Sequence, residues 1–171
     1  MAPIPPETIL DDVLLPLQVS WQGARVVFDG RARAWDDPDL GAEREFRRKV
    51  RTLTGNYQLL QIAPWLLSGA NPLRFRFVSH KLIRLAVPFL LAALLVASAS
   101  IPQPLYRAVF VLQLAFYALS LFALWNQAPS KQLRGPVSRV ANAALALVVL
   151  NTAAVVAFAN FVTGRKEVWF R

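Results

Sequence analysis

LIRLAVPFLLAALLVASASI, residues 82–101, decides what kind of protein this is. One charge, Arg84, stands near its start, and nothing charged follows to Ile101. At about 1.5 Å of rise per residue such a run matches a hydrocarbon core roughly 30 Å thick. Pro88 is tolerable in a spanning helix if neighbours satisfy the carbonyl it frees. A second run, LYRAVFVLQLAFYALSLFALW at 105–125, follows after the short IPQP turn, so the two read as an antiparallel hairpin. A third, VANAALALVVLNTAAVVAFANFVT, covers 140–163. Asn151, near its middle, reads as a donor to a neighbouring helix. The expected class is a mainly α membrane protein with about three transmembrane helices.

Working outward, the composition agrees. Of 171 residues 56% are apolar and 17% charged, too greasy for an ordinary soluble domain. The formal net charge is +9, and no Asp or Glu occurs between Phe46 and Lys166. A mixed-charge polar front therefore precedes a basic, apolar back. Without cysteine there is no disulfide or thiolate metal site, and a single histidine, His80, excludes a His-rich cluster. The N-terminus, MAPIPPETILDD, has neither a basic n-region nor a long apolar core, so membrane entry rests on the internal segments.

Lys and Arg in the flanks set orientation. Arg74, Arg76, Lys81 and Arg84 precede the first span, which makes that side cytoplasmic. Lys131, Arg134 and Arg139 give the 126–139 loop the same side, as a hairpin requires. The tail GRKEVWFR is basic as well, although three full crossings put it outside, and its side stays open.

In the front half, TILDDVLLPLQVSWQ reads as a short helix. Asp11 and Asp12 lie at its start, Leu14, Leu17 and Val19 are available for a core, and Pro16 is near the first turn. GARVVFDGRARAW then reads as extended chain around Val26, Val27 and Phe28. In EREFRRKVRTLTGNYQLL, residues 43–60, the residues Phe46, Val50, Leu53, Tyr57 and Leu60 fall on one helical face, and Arg44, Arg48 and Arg51 on another. That is the pattern of an amphipathic helix in the membrane interface, with Glu43 and Glu45 favouring its start. The basic face suits anionic headgroups or the phosphates of a substrate. No stacking surface accompanies it, so no nucleic-acid partner is expected.

The order DDVLLPLQVSWQGARVVFDGRARAW, EREFRRKVRTLTGNYQLL, NPLRFRFVSHKLIRLAVPFLL resembles the C-terminal half of a membrane-embedded family 2 glycosyltransferase, of the type that builds bacterial surface polysaccharides. The resemblance covers about the whole chain and is specific in combination. It implies a small α/β remnant of a GT-A type catalytic domain at 1–42, a basic interfacial region at 43–80, and membrane helices with a basic tail at 81–171. It implies transfer of a sugar from a nucleotide-sugar donor to a glycan or lipid-linked acceptor at the cytosolic face of a bacterial inner membrane. By that likeness Asp12 is the general base that deprotonates the acceptor hydroxyl, and Asp11 its neighbour. Structurally, both acids equally suit a helix N-terminus.

The family's Gln-x-x-Arg-Trp motif has its counterpart in Glu45-Phe46-Arg47-Arg48-Lys49. Arg48 stands for the motif arginine, Glu45 replaces the glutamine, and Lys49 replaces the tryptophan, which puts long-chain processivity in doubt. Arg48, Arg51 and Lys49 are the candidates for binding diphosphate. The family carries a nucleotide-binding half with an Asp-x-Asp metal motif before the base. The triplet Asp37-Pro38-Asp39 lies after Asp12 and reads as a chance match. The expectation is a truncated enzyme, inactive alone, with no cofactor held in this chain. A separate N-terminal half would complete it, and magnesium or manganese would be required there. The rival expectation is a non-enzymatic membrane accessory protein with a basic lipid-binding helix.

Overall fold

The computed structural model describes residues 3–35, 41–125 and 136–164. They are mainly helical, and no strand occurs among them. Helix α1 is Asp11–Trp21, α2 is Gly41–Ile62, and a 3-10 turn follows at Pro64–Leu67. Helix α3, Arg74–Phe77, runs through a π-helical turn, Val78–Leu82, into α4, Ile83–Ser100. Helices α5, Pro104–Trp125, and α6, Pro136–Val162, are the last among the described residues.

Three helices are long and apolar enough to cross a membrane: Arg74–Ser100, Pro104–Trp125 and Val137–Val162, of 27, 22 and 26 residues. At the helical rise these are roughly 33–40 Å long, enough for the hydrocarbon core with some tilt. Leu90, Leu105, Leu112 and Leu121 on them are more than half exposed, as side chains meeting lipid would be. The chain is thus an integral membrane protein by its helices. The first helix starts eight residues before the expected Leu82, because the π turn absorbs His80 and Lys81 without breaking it.

The chain divides into two compact units. One comprises residues 86–152. Here Gln113 Nε2 of α5 donates to Leu91 O of α4 at 2.9 Å and to Tyr117 Oη at 2.9 Å. Gln113 and Leu91 are equidistant from residue 102, the geometry of the expected hairpin. Ala123, Ala141 and Leu145 form a small core that Leu119 and Val149 flank. Asn151 Nδ2 donates to Leu147 O of its own helix at 2.8 Å. The expected interhelical bond is made by Gln113 instead, whose longer side chain reaches a neighbour's carbonyl.

The other unit comprises residues 1–85 and 153–171. Its core gathers Ile9, Leu10 and Leu14 with Leu59, Ala63, Leu66 and Phe77, and Leu17 packs on the edge. Tyr57 stacks on Phe161 of α6 at 5.2 Å between ring centroids and meets Phe158 at 5.7 Å. Val50 and Leu53 are buried as their spacing predicts, but so are Thr54, Asn56, Gln58 and Leu59. The amphipathic face therefore describes only the first half of α2. Its second half is covered on several sides, because residues 9–14 and the end of α6 both pack on it.

Helix α1 ends in a Schellman motif. Gly23 N–H donates to Ser20 O at 3.1 Å and Ala24 N–H to Val19 O at 3.2 Å, with Gly23 at φ +82°. A left-handed residue at that position is the reason for glycine there. Pro16 lies inside the helix rather than near its first turn, because α1 begins at Asp11 as expected, five residues before it. It offers no N–H to the Asp12 carbonyl. The expected α/β remnant is not shown: residues 24–29 are irregular, with no strand partner among the described residues.

Candidate functional site

The candidate acids are positioned by a contact far from them in sequence. Ile9 N–H donates to Gln58 Oε1 at 2.9 Å, and Gln58 Nε2 donates to Glu7 O at 2.8 Å. Leu10 lies on Gly55, so close that a Cβ there would stand 2.6 Å from Leu10 Cγ. Glycine at 55 therefore lets the chain before α1 touch the α2 backbone. Past this contact Asp11 and Asp12 open the first turn of α1, where carboxylates oppose the positive end of the helix dipole. Both are exposed. Asp12 N–H donates to Asp11 Oδ1 at 3.0 Å, and the helix start at Leu10 has no side-chain cap, so the Asp12 carboxylate is left facing solvent.

Arg51 lies one helical turn before Gly55 on α2 and is exposed. The basic candidates divide there by their partners. Arg48 pairs with Glu45 at 3.2 Å, and Lys49 pairs with the other oxygen of the same carboxylate. Arg47 pairs with Glu43 at 3.2 Å. Arg44 and Arg51 have no acidic partner among the described residues. The Lys49 hydrogen bond holds Glu45 below the ordinary carboxylate range; desolvation opposes it, and the Lys49 and Arg48 charges lend further support. Neither aspartate is ion-paired to a basic side chain among the described residues. The geometry joins α1 to α2 near Arg51, but leaves Arg48 and Lys49 occupied by Glu45.

Gln58 was not legible as a functional position. Its one signal is an uncharged amide inside the apolar stretch TGNYQLLQI, a residue type that is buried only when its hydrogen bonds are met. The Glu45 clamp was missed as well, although Glu43–Arg47 and Glu45–Lys49 have the i,i+4 spacing of helix ion pairs that could have signalled it. Asp37-Pro38-Asp39 and the loop residues Lys131 and Arg134 lie outside the described residues. No group of three His, Cys, Asp or Glu side chains gathers among the described residues, so these do not fit a divalent-cation site. Comparison of the chain with family models, curated proteins and solved structures found no match.

Proposed function

We propose that this chain is the membrane-embedded C-terminal portion of a family 2 glycosyltransferase, and that it works with a nucleotide-binding half. The observation that carries the reading is the Gln58 bridge. It ties the turn before Asp11 and Asp12 to the helix that bears Arg48 and Arg51, across 49 positions of sequence. Solvent-facing carboxylates on α1, and an arginine on α2 with no acidic partner among the described residues, in a chain with three membrane-spanning helices, would suit sugar transfer at the cytosolic face of a bacterial inner membrane.

In this reading the Asp12 carboxylate takes the proton of the acceptor hydroxyl. The oxygen attacks the anomeric carbon, the bond from that carbon to the diphosphate breaks with inversion, and the nucleoside diphosphate leaves. Arg51 offsets the leaving charge, and Arg48 joins it when an anion displaces Glu45. The cation that the family uses belongs to the nucleotide-binding half, and no step here runs through it.

The test is transfer from a labelled nucleotide sugar by the purified chain in liposomes, with and without the nucleotide-binding half. Transfer should require both. Asp12→Asn should then lower the rate by about 10²–10⁴-fold, as loss of a general base does. Asp11→Asn should have a smaller effect. A second reading rests on the exposed Arg44 and Arg51: a membrane accessory protein whose basic helix holds anionic lipid. It predicts no transfer with any partner, and an Asp12→Asn variant that behaves as the parent.

A further inference from the structure

The first membrane helix begins through its π turn, and residues eight apart there share a face. In an α-helix, residues eight apart stand roughly 80° out of line. A π turn is wider, since its hydrogen bonds run from i to i+5, so one α turn and one π turn together take up about eight residues. The exposures follow that period. Phe77 and Leu85 are both 4% exposed, on the side that faces the protein. Phe75 and Ile83 are 82% and 52% exposed. Arg76 and Arg84 lie between those two columns and are exposed, as is His80 halfway along. The π turn Val78–Leu82 thus sets two guanidinium groups and an imidazole in one line, beside an apolar line.

Nothing in the chain neutralises the basic line. Arg76, His80 and Arg84 have no acidic partner among the described residues, and no Asp or Glu occurs between Phe46 and Lys166. Its place decides what meets it. Arg84 is the last charge before the uncharged run of the membrane helix, so the line crosses the step from headgroups to hydrocarbon. It is about 12 Å long, against a headgroup layer of about 5–8 Å on each side of a bilayer. Helix side chains lean toward the N-terminus, so Arg84 reaches back out of the hydrocarbon toward His80. A free phosphate would use the basic line and leave Phe75 and Ile83 bare. An acidic protein segment would have to enter hydrocarbon beside Ile83. A phospholipid meets both lines, its phosphate on the guanidinium groups and its acyl chain on the ring and the isoleucine.

We propose that Arg76, His80 and Arg84 bind the phosphate of one anionic phospholipid, whose acyl chain lies along Phe75 and Ile83. The site is separate from the basic face of α2 and stands whether or not the chain takes part in sugar transfer.

The full chain is reconstituted in vesicles of phosphatidylcholine and phosphatidylglycerol in equal parts and taken into mild detergent, and the lipid it retains is counted by native mass spectrometry. The parent should hold one phosphatidylglycerol in preference to phosphatidylcholine. Arg84→Ala combined with Ala86→Arg keeps composition and net charge and turns the charge roughly 200° around the helix. It should lower that preference about fivefold, as loss of one basic residue at a headgroup does. Arg76→Gln, before the uncharged run, carries the same expectation should the relocated variant fail to insert. Phe75→Ala should loosen the retained lipid without changing which lipid is preferred, and inorganic phosphate should not displace it. Equal retention of the two lipids by the parent, a preference unchanged in the Arg84 and Arg76 variants, or displacement by inorganic phosphate overturns the proposal.

Discussion

Gln58 holds Ile9: the Ile9 N–H donates to Gln58 Oε1 at 2.9 Å while Gln58 Nε2 donates to the Glu7 carbonyl. One amide thereby satisfies a buried backbone donor and a carbonyl at once, and it fixes the turn that leads into the two aspartates. Gln58→Leu strands the Ile9 N–H in an apolar setting. The expected loss is about 1–3 kcal/mol of stability, read as a lower unfolding midpoint in detergent. Gln58→Glu keeps the acceptor for Ile9 and loses the donor to Glu7, so its midpoint should fall between parent and Gln58→Leu.

Gly55 is needed for the same contact. Alanine there would press on Leu10 Cγ at 2.6 Å and Ile9 Cγ2 at 3.1 Å. Overpacking of this kind costs about 1–3 kcal/mol, set against a gain of about 1 kcal/mol from replacing glycine within a helix. Gly55→Ala should therefore be neutral to destabilising, and Gly55→Val clearly worse. Adding Leu10→Ala to Gly55→Ala should recover part of the loss. Additive losses in the double variant would mean that the two residues do not share the contact.

In the other unit, Gln113 joins α5 to α4 through the Leu91 carbonyl. Polar contacts between membrane helices contribute about 0.6–2 kcal/mol. Gln113→Leu should lower resistance to denaturing detergent by that order. Asn151→Leu should change it less, because the Asn151 bond stays within α6.

Glu45 predicts a pH dependence. Its folded pKa lies below the ordinary 4.5, chiefly through Lys49. The folded state then binds the proton less readily than the unfolded state, so the stabilisation is present above the ordinary value and is lost as pH falls through the depressed one. Glu45→Gln should flatten the acid limb of the stability curve below that value. It should also free Arg48 and Lys49, so that the variant binds a nucleoside diphosphate or anionic liposomes more tightly than the parent, an effect that salt weakens.

The membrane helices were legible because twenty or so uncharged apolar residues in succession have few other uses. Leu14, Val50 and Leu53 were legible as core from spacing alone. The second half of α2 was not. Its buried face is made by residues 9–14 and by Phe158 and Phe161, and periodicity reports one element's faces without saying how many neighbours will cover them. The start of α1 at Asp11 and Asp12 was legible, but Pro16 lies five residues past Asp11 and so beyond the first turn where it was expected. Asn151 was assigned a reach between helices that its short side chain spends on Leu147. For the site, the ion pairs of Glu45 have a spacing signal that the assignment of Arg48 and Lys49 to diphosphate passed over, whereas the approach of Leu10 to Gly55 depends on a contact 45 positions apart that no local pattern encodes.

The left-handed turn at Gly23 has a bearing on the segment beyond it. Two backbone hydrogen bonds lock that reversal, so the chain from Ala24 onward departs from a fixed root in a fixed direction. A segment rooted in this way has already lost much of its orientational freedom, so ordering it further concerns only the few residues beyond the root. Replacing Gly23 would strain a backbone at φ +82° and loosen the close of α1, so that the segment beyond would lose its fixed root.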